Sequence, residues 1–140
     1  MNESIKPNQT RRLAGRCRCG AVQYTVADAF KYAANCHCAE CRQQTGSAFK
    51  PFAGIERDAL KLNDPGDARL IFGDKSANHD VHCGRCGSLL FSDVGANLHV
   101  TLGTLVDAPT IRPTAHIFVA EKAPWFEIRD DLPQYAGHVS

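Results

Sequence analysis

The chain has almost no charge imbalance. Over 140 residues its formal net charge is +1, with 22% charged residues, so electrostatics give no general case for nucleic acid or anionic lipid as a partner. No apolar stretch approaches the length of a membrane span. The opening residues, Met1 to Arg12, lack the apolar core of a secretory signal, which makes a reducing cytoplasm the expected setting. Repeats, low-complexity tracts and internal linkers are also missing. Helical patterning is scarce, and the best candidate runs only from Ala39 to Gln44. What remains is a flexible segment over residues 1–12 followed by a single domain over 13–140. A domain of this size buries roughly two thirds of its unfolded surface without covalent staples.

Against these absences stand seven cysteines in three tight groups: Cys17-Arg18-Cys19, Cys36-His37-Cys38-Ala39-Glu40-Cys41 and Cys83-Gly84-Arg85-Cys86. Disulfides are the bland explanation, but compartment and size both argue against them. A structural zinc closes with four thiolates, whereas a working zinc keeps three protein ligands and an open position. Four and three account for every cysteine. Four thiolates on a dication leave a net charge of −2 and three leave −1, an excess that Arg16, Arg18, Arg42 and Arg85 offset. Arg11, Arg12, Arg16 and Arg18 also form the one local basic patch able to face phosphate or carboxylates.

The spacings have physical reasons. In an extended segment residues two apart point the same way, so Cys17 and Cys19 can share an ion, as can Cys36 and Cys38. His37 then faces away, as a packed or supporting residue and not a ligand. Cys83-Gly84-Arg85-Cys86-Gly87 reads as a tight turn in which Gly84 and Gly87 take positive φ and let backbone N–H groups approach the sulfurs. Spacing alone leaves two partitions open. Cys17, Cys19, Cys83 and Cys86 can close one site and leave Cys36, Cys38 and Cys41 open, or Cys17, Cys19, Cys36 and Cys38 can close it and leave Cys41, Cys83 and Cys86. The first keeps the compact triad intact and clasps early chain to late chain, and is preferred.

The rest of the chain reads as a small, mainly β, antiparallel domain. Short apolar runs over Ala21–Val26, Ser47–Ile55, Leu60–Asn63, Arg69–Gly73, Ser88–Ser92, Leu98–Leu102, His116–Val119 and Trp125–Ile128 alternate with turn formers such as Asn63-Asp64-Pro65-Gly66. Gln44, Thr45, Gly46 and Ser47, just after the triad, are the candidate substrate-binding residues, offering hydroxyls and close-approaching backbone to a small substrate. Gly46 has equal reason to serve only a turn. Trp125 and Phe126 could wall a cleft, although core is the commoner place for such a pair.

These motifs together resemble the glutathione-dependent formaldehyde-activating family, which also includes centromere protein V. Gly15-Arg16-Cys17-Arg18-Cys19-Gly20-Ala21-Val22 is similar to the family's opening pair, and Cys36 through Phe49 to its most diagnostic stretch. His82-Cys83-Gly84-Arg85-Cys86-Gly87-Ser88-Leu89-Leu90-Phe91 and the tail from His116 to Tyr135 complete the resemblance in the same order. It implies a β-tent fold and two zinc ions per chain, a structural one on Cys17, Cys19, Cys83 and Cys86 and a catalytic one on Cys36, Cys38 and Cys41. The implied activity is that of a carbon–sulfur lyase, joining glutathione to formaldehyde as S-hydroxymethylglutathione and running in reverse. The partners would be a small thiol and a small aldehyde. Two competing expectations are a zinc-stabilised module that docks protein or nucleic acid without turnover, and redox sensing by Cys36, Cys38 and Cys41.

Overall fold

A computed structural model describes residues 8–74 and 78–139. Its strands are β1 (Asn8–Arg16), β2 (Gln23–Asp28), β3 (Tyr32–Cys36), β4 (Lys50–Ile55), β5 (Leu60–Asn63), β6 (Arg69–Gly73), β7 (His79–Cys83), β8 (Leu89–Asp93), β9 (Leu98–Thr101) and β10 (His116–Ile117). The α-helix, α1, covers Ala39–Thr45. A three-stranded sheet runs β1-β2-β5, and a seven-stranded sheet runs β10-β3-β4-β9-β8-β7-β6. The mainly β expectation holds, with one refinement: β10 pairs with β3 in parallel, so the large sheet is mixed.

Period-two alternation explains why the large sheet has two packed faces. Ala53 and Ile55 of β4 turn toward Leu13, Tyr24 and Val26 of the small sheet and Val22 just before β2, joined by Leu90 and Val100. Phe52, between them, turns the other way and packs with Ala34, Cys36 and Ile117. Each fully buried Leu, Ile or Val contributes about 1.5–3 kcal/mol relative to exposure, so the inter-sheet layer is the main source of stability. The second, smaller cluster carries Cys38 and Cys41 at its rim.

Strand positions depart from the sequence reading in four places. The N-terminal segment expected to be loose through residue 12 is strand from Asn8, because Arg11 pairs with Asp28 and Arg12 bonds Thr25 and the Ala59 carbonyl. Its polar run has no apolar period to betray a strand. β3 (Tyr-Ala-Ala-Asn-Cys) and β7 (His-Asp-Val-His-Cys) are strands by pairing, not propensity. Trp125–Ile128 is not a strand; Pro124 and Trp125 form a turn, and Trp125 is 70% exposed.

Among the described residues, no helix is long and apolar enough to cross a membrane.

Candidate functional site

Two hairpin-like turns build the first cysteine group. After β1 the chain turns at Cys17–Gly20, with Gly20 at φ 81° and its N–H on the Cys17 carbonyl at 3.2 Å. After β7 it turns at Cys83–Gly87, with Gly87 at φ 84° and its N–H on the Cys83 carbonyl at 2.8 Å. The first pair therefore sits in a turn and not in the extended segment expected from its spacing. Gly84 also differs from expectation, since its φ is not positive. Its need is space, for a Cβ there would stand 2.6 Å from the Ala68 carbonyl oxygen.

These turns bring Cys17, Cys19, Cys83 and Cys86 together with all four sulfurs within 4.8 Å of one another. The Cys17–Cys19 and Cys19–Cys83 sulfurs are 3.7 Å apart. Four sulfurs at about 2.3 Å from a tetrahedral zinc would be separated by about 3.8 Å, so the group has the size zinc requires. Backbone N–H groups of Val22 and Arg85 donate to Cys17 and Cys83 at 3.3 and 3.4 Å. The group spans the two sheets, because β1 belongs to the small one and β7 to the large one.

The second group forms where β3 runs into α1. Cys36 ends the strand, Cys38 is the helix N-cap, and the Cys41 N–H donates to the Cys38 sulfur at 3.2 Å. Their three sulfurs also lie within 4.8 Å. Cys36 is held below the usual thiol range, chiefly by its hydrogen bond with Cys41 and against burial. The same bond, then burial, pushes Cys41 far up, and burial leads in raising Cys38. Three sulfurs this close do not carry three negative charges unaided; a cation among them is what lets all three ionise. Both groups can hold a metal ion.

His37 faces away from the triad, as expected, and is completely buried. Its Nε2 lies 2.8 Å from His116 Nδ1, and His116 Nε2 lies 3.0 Å from Asp130. Burial, then the charge of His116, lowers His37 to about 4, so the ring is neutral near pH 7. Asp130 is held below the usual carboxylate range by His116 and by the Leu132 N–H. A carboxylate only accepts, so His116 Nε2 donates to Asp130, and the direction of the His37–His116 bond follows the tautomer of the two rings. His37 Nδ1 is buried without a hydrogen-bond partner among the described residues. This chain fastens the triad's backbone to the tail, and residues 79 positions apart gave the sequence no way to announce it.

A cavity of about 390 Å³ opens beside the triad. Cys36 and Cys41 line it, and the four-cysteine group does not. Its wall includes Lys50, Phe52, Asp80 and His99, none of which the sequence reading singled out. Lys50 is the register partner of Cys36 across the β3–β4 pair, which is the signal that places it here. His99 stacks on Phe52 at 4.4 Å and meets the Tyr32 hydroxyl at 2.7 Å. Burial, then the charge of Lys50, lowers His99 to about 4.

The residues expected to bind substrate are not part of this wall. Gln44 donates to Asp80 at 2.5 Å; Thr45 bonds the Cys41 carbonyl and Ser47, and Ser47 bonds the Phe49 carbonyl. Gly46 is the left-handed helix C-cap at φ 63°, so it serves the turn. Phe126 packs against His37 and Phe49, behind the triad.

The model of the glutathione-dependent formaldehyde-activating enzyme family matches residues 12–121, which hold all seven cysteines and the cavity wall named above. The chain belongs to that family. It is 28% identical over 138 residues to a Halomonas elongata protein provisionally named a glutathione-dependent formaldehyde-activating enzyme, covering 90% of this chain and 88% of that one. A crystal structure of a Rhodobacter sphaeroides protein shares the fold, with a TM-score of 0.56 at 18% identity over 68% of this chain and 89% of that one.

Proposed function

We propose that this family member catalyses addition of a thiol of the glutathione type to formaldehyde or a similarly small aldehyde, and the reverse cleavage, as a carbon–sulfur lyase. The observation that carries the reading is the difference between the two cysteine groups: four sulfurs clasped between sheets away from the cavity, and three grouped at its edge, with Cys36 and Cys41 in its wall. Donor chemistry and spacing suit zinc at both places, with Cys17, Cys19, Cys83 and Cys86 as a structural set and Cys36, Cys38 and Cys41 as a catalytic set. A zinc held by three thiolates supplies an open position with affinity for sulfur and favours a thiol's ionised form.

The protein's own residues do the rest. The cavity holds thiol and aldehyde together and shields them with Phe52, Ile117 and Phe118. In the addition, the substrate sulfur bonds to the carbonyl carbon, the C=O π pair moves to oxygen, and the thiol's proton ends on that oxygen. Protons balance, so no net acid or base is consumed. Thiols add to formaldehyde unaided, and the acceleration asked of the protein is correspondingly modest.

The test compares adduct formation with wild-type protein and Cys38→Ser, alongside metal content. Two zinc ions per chain, one released by mild chelation together with activity, are expected. Rates no faster than buffer for both proteins would refute the reading and leave a zinc-stabilised module.

A further inference from the structure

Among the described residues Lys50 is the one ammonium in the cavity wall, and no acidic side chain pairs with it. The residue is 5% exposed, yet among the described residues its Nζ makes no hydrogen bond or ion pair. Of the acidic groups in the wall, Asp80 accepts from Gln44 and from Ser92, Asp93 is paired with Arg57, and Glu40 forms no ion pair with Lys50. Lys50 does not hydrogen-bond the Cys36 or Cys41 sulfur either, although it lines the same cavity. An ammonium present only to balance thiolates would be expected to touch one. Lys50 shares the cavity wall with both Cys41 and His99, and its charge acts on each.

Resting on the thiol-addition reading, we propose that Lys50 makes the cavity selective for a substrate bearing a carboxylate, binding that group while the reacting atoms lie at the triad. The apolar side of the wall strengthens such a pair, since charges attract more in a water-poor surround. The volume agrees, for about 390 Å³ is far more room than a one-carbon aldehyde fills. The carboxylate can come with the thiol or with the aldehyde, and the test separates these sources.

Calorimetry on the metal-loaded protein compares 3-mercaptopropionate with 2-mercaptoethanol, and turnover compares glyoxylate with acetaldehyde, in wild type, Lys50→Met and Lys50→Arg. A charge-assisted contact predicts that wild type prefers one carboxylate partner by about tenfold to a hundredfold, that Lys50→Met erases the preference, and that Lys50→Arg keeps most of it. The pair that shows the preference names the source. Because the matched ligands differ in wild type itself, the result does not depend on the variants folding. Absence of preference in both wild-type pairs overturns the proposal. So does a Lys50→Met protein that loses the triad's metal and weakens charged and neutral ligands equally, for Lys50 would then serve only the thiolates. Failure of turnover with every pair would sink the thiol-addition reading alone, since the binding comparison still decides the role of Lys50.

Discussion

Replacing His116 by alanine tests whether the buried imidazole chain holds the triad. His116 is 2% exposed and sits between His37 and Asp130. The truncation strands His37 Nε2 in a dry interior, which costs about 1–3 kcal/mol. It also removes a ring packed edge-on against Phe49 at 6.0 Å. With the space left behind, the loss comes to about 3–5 kcal/mol, not counting the half-exposed Asp130 end. A domain of this size has about 5–15 kcal/mol in total and loses roughly 2–4 °C of melting temperature per kcal/mol, so Tm should fall by about 10–15 °C. The loss should be local in a telling way. His37 lies between Cys36 and Cys38, so the triad should give up its metal to mild chelation while the four-cysteine group keeps its own. Differential scanning calorimetry with metal analysis reads both effects. His116→Asn, which can still hydrogen-bond His37, should fall in between. A His116→Ala protein that melts within about 2 °C of wild type and keeps both metals would refute the reasoning.

Cys83→Ser should be harsher and global, because its sulfur joins the two sheets; structural zinc is worth about 10–16 kcal/mol in small domains, so circular dichroism should show little folded protein at 37 °C, and a well-folded variant would mean the clasp is misassigned. Asp28 accepts from Arg11 and from the Thr110 N–H and hydroxyl. Burial raises its pKa, but these bonds outweigh it and leave the carboxyl below its usual range. Its stabilisation is therefore present above the ordinary aspartate pKa and lost as pH falls through the lowered folded value. Asp28→Asn should cost about 2 kcal/mol at pH 7 in urea titrations, with the gap to wild type closing under acid. Gly84→Ala should destabilise by driving a methyl against the Ala68 carbonyl, and a Tm equal to wild type would show that the turn relaxes at no cost.

What the sequence disclosed was chiefly what is local. The cysteine spacings disclose two compact groups, and the geometry divides them as the preferred partition did. Alternation exposed β4, β8 and β9, whose residues face an apolar layer. It could not expose β3, made of small residues packed on both faces, nor β7, polar and held by its neighbours. The cavity wall was equally hidden. Lys50 and His99 meet because β4 lies beside β9 in the large sheet, a pairing that no stretch of sequence contains. Proximity along the chain puts Gln44 to Ser47 next to the triad, and the fold engages their polar groups at the end of α1 and on Asp80, outside the cavity wall.

The parallel contact of β10 with β3 sets an order of maturation during synthesis. A chain emerging from the ribosome has all four clasp cysteines available once Cys86 is out, whereas the triad's support waits for His116 and Asp130. The clasp can take its ion while the nascent polypeptide is still tethered, and the reactive centre is finished afterwards. The pocket beside the triad therefore stays immature until its scaffold is already secure.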